Sequence, residues 1–327
     1  MARNKVQFQA GLGMSEFQRL YGTEEQCHAA LVAMRWPDGF VCPKCTKEKY
    51  SFCAPKRLFQ CSSCGLQTSV RAGTVFQKSK TPLTKWFLAM HLLTCSKNDI
   101  SSLELSRQLD VKWDTAWLIK QKLMEVMLQR NSIYKLAGDI QVDDAYQGGE
   151  KAGKPGRGAA NKLPFVIAVE TRKGRPIYTQ LRVVSGFSNA AIKDYATANI
   201  AKGARVLSDG LACWNGIDEA GLKHIAKITG GGRPTDGEFK WVNTGLGNTK
   251  GAITGTCRSI DARHTPRYLA GYEWRYNRRF ELPKNLGRLA RVAVTIAPKP
   301  RRQIAAVRQK STDLSGQSSR RMSSFQT

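Results

Sequence analysis

Apolar positions recur at helical spacing over residues 15–36 (SEFQRLYGTEEQCHAALVAMRW), with Thr23 and Gln26 in capping-box positions. This predicts one short helix leading into the next segment. Residues 41–76 break into short, turn-rich pieces without a helical period. Residues 82–130 contain no glycine and return to helix, and SSLELSRQLDVKWDTAWLIKQKLMEVM predicts two helices joined by a turn at residues 111–113.

After Asn131 the period shifts toward two. GDIQVDDAYQGG, LPFVIAVETRKG and RPIYTQLRVVSG read as consecutive strands, the last two joined by a turn at residues 172–175. The basic, glycine-rich EKAGKPGRGAANK between the first two reads as a loop. A helix at residues 189–200, the strand ARVLSDG, a helix near 214–221 and the strand KHIAKITG complete the pattern of an α/β domain with a mixed, five-stranded sheet. Over residues 263–280 a helix places Tyr268, Tyr272, Tyr276 and Phe280 on one stripe, read as core packing, with Arg275, Arg278 and Arg279 elsewhere. The chain is therefore expected to be multidomain: a helical lead (1–36), a cysteine module (37–77), a helix-turn-helix-like segment (78–131), the α/β domain (132–297) and a basic, disordered tail (298–327).

Charge adds a partner. Fifty-two Lys and Arg against 25 Asp and Glu leave +27 over 327 residues, an excess that concentrates polyanions through long-range attraction and counterion release. Nucleic acid is the expected partner. No apolar run approaches the ~20 residues that span a bilayer, and MARNKVQFQAGLGMSEF lacks a signal-peptide core, so a cytoplasmic protein is expected.

The nine cysteines include two CxxC pairs, Cys42-Pro-Lys-Cys45 and Cys61-Ser-Ser-Cys64, the second followed by Gly65. Four thiolates at this spacing suit one tetrahedral structural Zn2+. Cys53, Cys27, Cys95, Cys213 and Cys257 read as bystanders or core residues. Lys44, Lys47, Lys49, Lys56 and Arg57 decorate this ribbon either as nucleic-acid contacts or as a solvated face. Ser106, Arg107, Lys112, Lys120 and Lys122 mark the helical hairpin, whose second helix would enter a major groove.

In so basic a chain, carboxylates on strands call for a reason. Asp143 lies within the first strand and Asp209 at the end of the fourth. If those strands are neighbours, both carboxylates meet at one sheet edge, where hard oxygen ligands suit Mg2+ or Mn2+. Asp144 alternates to the opposite face, so Asp143 is preferred as the ligand. Asp236 and Glu238 lie in a glycine-rich loop, and the helical stretch that follows carries Asn248 and Lys250 but no carboxylate before Asp261.

The order of zinc ribbon, helical segment, VDDAYQGG, LSDG, WVNTGLGNTKGAITGT and YEWRYNRRF resembles the insertion-sequence transposases of the IS-fifteen-ninety-five family, the ISXO-like group, over roughly residues 15–282. The resemblance implies a ribonuclease-H-like catalytic domain holding two catalytic Mg2+ or Mn2+ ions. It implies Asp143 and Asp209 as first and second ligands, Asn248 in place of the usual Glu, and Lys250 as a phosphate contact, with Glu238 in reserve. It further implies DNA cleavage and joining by a homodimer or larger assembly at the element's ends, and arginines of YNRRF holding DNA. The alternatives are a catalytically inactive DNA-binding relic or regulator keeping the ribbon and helix-turn-helix, and a stand-alone nuclease that cuts without joining.

Overall fold

The computed structural model describes residues 10–148, 162–228, 237–257 and 260–306. The glycine-rich loop expected over residues 150–162 lies almost wholly outside them, as do Asp236 and the tail from residue 307.

The first helical segment is two helices, not one. α1 (Met14–Tyr21) stops at Gly22, and α2 (Glu24–Arg35) starts behind Thr23. The Thr23 hydroxyl accepts from the Gln26 amide while the Gln26 side chain accepts from the Thr23 amide, and this reciprocal cap starts a new helix where a continuous one was expected. β1 (Tyr50–Cys53), β2 (Leu58–Cys61) and β3 (Gln67–Ser69) then form an antiparallel sheet in sequence order. Its core is small: Phe40, Cys42, Phe59 and Cys61, with Val32, Trp36 and Leu66 against them.

α3 (Leu83–Cys95), α4 (Ser102–Leu109) and α5 (Trp113–Asn131) follow. Ser101 caps α4 by accepting from the Glu104 amide, and Asp110 ends it in the left-handed region at φ 47°. This makes the expected tight turn into α5. α5 is buried around its whole circumference from Ile119 to Met127, so it is a core helix.

The second sheet contains β4 (Asp139–Gln147), β5 (Leu163–Arg172), β6 (Arg175–Val183), β7 (Arg205–Ser208) and β8 (Lys223–Ala226). α6 (Asn189–Asn199) joins β6 to β7, and α7 (Asn215–Glu219) joins β7 to β8. The strand order is β6-β5-β4-β7-β8; the first three strands are antiparallel, while β4, β7 and β8 run parallel. A mixed sheet in this order, with helices on both faces, is the ribonuclease-H-like fold. Alternation along β4 and β5 sends Ile140, Val142, Val166 and Ala168 into a core under α6 and α7. Ala145, Phe165, Ile167 and Val169 face the other way, toward α8 (Lys240–Thr256) and α9 (Thr265–Asn277).

Packing does not divide at the 131/132 boundary drawn from the sequence. Ala270 and Trp274 of α9, and Leu286, Leu289, Ala290 and Ala293 of α10 (Asn285–Ala293), share one core with residues of α1 to α5. The two ends of the described chain therefore build one helical body beside the sheet. The tail expected to be disordered from residue 298 begins ordered: α11 (Arg301–Ala305) buries Ile304, Lys299 pairs with Glu125, and Arg301 pairs with Asp114 at 2.6 Å. One buried side chain and two ion pairs supply the anchorage that composition did not reveal.

Candidate functional site

Both cysteine pairs sit on turns of the same design. The Thr46 amide donates to the Cys42 carbonyl and the Gly65 amide to the Cys61 carbonyl, each at 3.0 Å, with Thr46 and Gly65 at φ 59° and 70°. The turns bring the four Sγ atoms within 4.8 Å of one another, with Cys42 to Cys64 at 3.6 Å and Cys45 to Cys61 at 3.5 Å. A tetrahedron with Zn–S bonds of ~2.3 Å has edges of ~3.8 Å, close to these separations. The Cys64 and Ser63 amides bring the Cys61 thiol down to about 6, while Cys45, despite the Lys47 amide, is pushed up to about 12 by burial and the neighbouring thiols, so the four sulfurs titrate as a group. The donor set and its geometry fit Zn2+. Cys53 is exposed and outside the cluster, whereas Cys27 is buried and its thiol is pushed up to about 12, chiefly by that burial.

The second cluster grows from the register of the large sheet. Gln141 of β4 pairs with Leu207 of β7 in parallel, so two residues further on Asp143 comes alongside Asp209 just past the end of β7. The carboxylates of Asp143, Asp144 and Asp209 lie within 4.8 Å of one another. Asp144, set apart by the rule of alternation, thus stands with the pair. The Asp143 carboxyl is raised to about 6, first by burial and then by the charges of Asp144 and Asp209, while the Asp144 amide and the Lys250 ammonium act in the opposite sense. Three hard oxygen donors whose mutual repulsion disfavours ionisation fit a divalent cation.

The Asp209 side chain is held in place. Asp209 accepts from the Trp214 indole at 2.8 Å and the Leu211 amide at 3.2 Å, both on Oδ1. Gly210 takes φ 82°, and a Cβ there would come within 2.9 Å of Ile228, which is why glycine follows the aspartate. Ser208, just before it, is fully buried and hydrogen-bonded to His224 Nε2 at 2.8 Å, and His224 Nδ1 meets Asp218 at 2.8 Å. The chain Ser208–His224–Asp218 pins the end of β7 to β8 and α7. With its serine hydroxyl buried, it is a brace and not a nucleophilic triad.

The helix bearing Asn248 and Lys250 hangs from the same strand. Gln141 Oε1 accepts from the Trp241 and Val242 amides, each at 3.1 Å, and so caps α8 from two residues before Asp143. At Gly245 a Cβ would approach Ile167 Cδ1 to 3.2 Å, a tight fit that lets α8 lie close on β5. Asn248 is half-buried and Lys250 exposed, on either side of the fully buried Thr249. Glu238 is ion-paired to Lys227 and does not belong to the acidic cluster.

The basic residues singled out from sequence divide by burial. Lys120 is fully buried, pairs with Asp99 at 2.7 Å and lies over the Tyr268 ring; Lys122 is buried and donates to the Val75 carbonyl. Neither can reach a groove. Ser106 is buried and donates to the Leu103 carbonyl, whereas Arg107 and Lys112 are exposed. On the ribbon, Lys44, Lys47, Lys49 and Lys56 are exposed, but Arg57 is engaged by Glu25 at 2.5 Å. The tyrosine stripe packs as expected at Tyr272, which is buried, and loosens to Phe280, which is exposed. Sequence reading missed Gln141, Trp214 and His224, whose roles depend on partners distant along the chain. Among the described residues no helix is long and apolar enough to cross a membrane.

Two family models match the chain: an ISXO2-like transposase domain over residues 135–277 and a transposase zinc-ribbon domain over residues 22–67. A curated relative, an uncharacterized protein in transposable element ISH50 of Halobacterium salinarum (strain ATCC 700922 / JCM 11081 / NRC-1), is 29% identical over 142 residues, which are 42% of this chain and 46% of that protein. The chain thus spans less than half the length of the curated relative it matches. Among solved structures, the Mos1 strand transfer complex and the Mos1 mariner paired end complex with Mn are each 11% identical and cover 55% of this chain and 72% and 73% of theirs. Their TM-scores of 0.21 and 0.20 are too low to carry an argument.

Proposed function

We propose that this protein binds the ends of an insertion sequence and catalyses metal-dependent DNA strand cleavage and strand transfer, a reading supported by the match of residues 135–277 to the ISXO2-like transposase domain and of residues 22–67 to the transposase zinc-ribbon domain. The observation that carries the proposal is the convergence of Asp143, Asp144 and Asp209 at the edge where β4 and β7 run side by side. Divalent ions, Mg2+ by the hardness of the donors, would activate the attacking hydroxyl and offset charge on the leaving oxygen.

The chain's own residues orient the phosphate. Asp143 and Asp209 supply the ionic ligands, Asn248 adds a neutral amide oxygen from α8, and Lys250 holds the phosphate as a point charge. Trp214 fixes the Asp209 carboxylate and the Ser208–His224–Asp218 brace fixes the strand end that carries it, so little rearrangement is needed as the phosphate enters. Cys42, Cys45, Cys61 and Cys64 hold a structural Zn2+, which presents the exposed lysines of the ribbon to DNA. The protein works as a homodimer or larger assembly, so that both ends meet, in the bacterial cytoplasm on nucleoid DNA. Lead, ribbon, helical segment, catalytic domain and basic tail divide these roles among them.

The experiment is a cleavage and joining assay with Mg2+ on labelled DNA carrying the element's terminal repeats. Asp143→Ala and Asp209→Ala should abolish cleavage, Asn248→Ala should weaken it by roughly 10- to 100-fold, as for a neutral ligand or outer-shell partner, and Glu238→Gln should leave it unchanged. Cleavage by Asp209→Ala at the wild-type rate would refute the ligand assignment.

A further inference from the structure

Away from the acidic cluster, the end of α5, the C-terminal end of α9 and α10 enclose a cleft of 410 Å3 lined by Arg130, Arg278, Arg288 and Arg291, with Trp274 and Tyr134 among its walls. Four guanidinium groups converge on it, and the nearby carboxylates are mostly committed. Glu273 is 1% exposed and receives Arg182 on both oxygens, at 2.5 and 3.3 Å. Glu281 is shared between Lys284 at 3.0 Å and Arg288 at 2.6 Å. Arg130 and Arg291 are exposed and have no ion-pair partner among the described residues.

Arg278 is built into the wall. Its guanidinium lies 3.5 Å from the centre of the Trp274 ring and donates to the Trp274 carbonyl at 3.3 Å. Burial, then the neighbouring Arg130 charge, bring it down to about 10. The adjacent Arg279 is used differently: it clamps the Ile177, Tyr276 and Pro176 carbonyls and ties α9 to β6. Of the two arginines expected to hold DNA, Arg278 is therefore the one with donors left to offer. Along the sheet, Tyr178 at the cleft is level with Ile140, three residues before Asp143 and two strands away. At ~3.3 Å per residue and ~4.8 Å per strand, the cleft stands roughly 14 Å from the acidic cluster.

We propose that this cleft is an anion subsite that takes a backbone phosphate of bound DNA, separate from the phosphate that reacts. The proposal rests on the reading of the protein as a DNA-processing enzyme and deepens it. Guanidinium forks match phosphate oxygens in pairs, and an arginine stacked on tryptophan is already oriented, so less freedom is lost on binding. The like charges gathered there repel one another until an anion enters.

The test uses the full zinc-loaded chain. Affinity for a fluorescent duplex is measured against NaCl concentration for wild type, for Arg130→Gln/Arg291→Gln, and for the charge-matched control Lys202→Gln/Lys223→Gln. Both variants change only exposed side chains, and matching melting curves certify their folds. Each phosphate left without its cation should flatten the log–log salt slope by ~0.9, so the cleft variant, which loses one phosphate contact, is expected to bind with a slope shallower by about 0.9 while the control keeps the wild-type slope. Equal slopes for the two variants would overturn the proposal. A second arm compares melting in inorganic phosphate and in chloride at equal ionic strength. Phosphate stabilisation abolished by the cleft variant without a change in DNA slope would mean a free-phosphate site, and would also overturn it. Cleavage is read on the same duplexes with Mg2+: a shallower slope without any wild-type cleavage would sink the catalytic reading and leave the subsite standing.

Discussion

Asp143 carries its own unfavourable electrostatics. Its carboxyl sits at about 6 where 3.8 is ordinary, because burial and two neighbouring carboxylates oppose its charge. Between pH ~4 and ~6 the folded protein holds a proton that the unfolded chain has released, so stability falls as pH rises through that window and the loss is complete above it. At about 1.4 kcal/mol per unit, Asp143→Asn should stabilise the metal-free protein by roughly 1–3 kcal/mol at pH 7.5, with the gain vanishing near pH 4. Urea unfolding at the two pH values, with and without Mg2+, measures this. Mg2+ should stabilise the wild type at pH 7.5 and have much less effect on the variant. A variant no more stable than wild type at pH 7.5 would show that the carboxylates do not repel as the geometry requires.

Single residues are legible where chemistry and periodicity agree. The pairing of Asp143 with Asp209 follows from strand neighbours and a two-residue period, and the zinc cluster from CxxC spacing alone. Asp144 is not legible, because strict alternation ignores how close carboxylates on both sides of a strand end come to a third one beyond it. Lys120 and Lys122 look groove-facing in sequence because a lysine signals charge there and gives no sign of a buried partner. Asp99, just before the two-helix stretch that begins at Ser101, and the Val75 carbonyl, before the whole segment, satisfy them.

Among elements, the ribbon depends most on something besides its own packing. Its core holds only two fully enclosed aromatics, Phe40 and Phe59, with two of the metal-ligand cysteines. A core this small cannot offset the conformational entropy of the loops around it, so metal ligation must. Chelation of zinc, or Cys61→Ser, should therefore abolish amide-exchange protection in β1, β2 and β3 while β4, β5 and β6 keep theirs. Persisting protection in β2 after verified zinc removal would contradict the assignment. The boundaries of β4 to β8 are readable to within a few residues from alternation and turns. The break between α1 and α2 is not, because Thr23 and Gln26 mark the start of a helix without marking the end of the one before.

At the scale of the whole molecule, the shared core of the N-terminal helices with α9 and α10 makes the chain ends interdependent. Leu289 is fully buried in that core, and Leu289→Ala should cost about 2–5 kcal/mol. The loss should appear in the exchange rates of α2 and α3 amides as much as in those of α10. Unchanged protection in α2 and α3 would mean that the two ends fold apart. No local pattern announces this union, since periodicity specifies which face of a helix is apolar and not which distant helix will cover it.

The same union sets an order of events at the ribosome. Between the release of α5 and the appearance of α10 the ribosome must add roughly 150 residues, on the order of ten seconds or more at ~5–20 residues per second. Throughout that interval the apolar faces of α2, α3 and α5 lack their last partners. A product broken off between Asp209 and α9 would carry both aspartates and the ribbon yet could not complete the scaffold behind them. Synthesis itself would then decide which copies become competent, and partial chains would be left to chaperones and proteases.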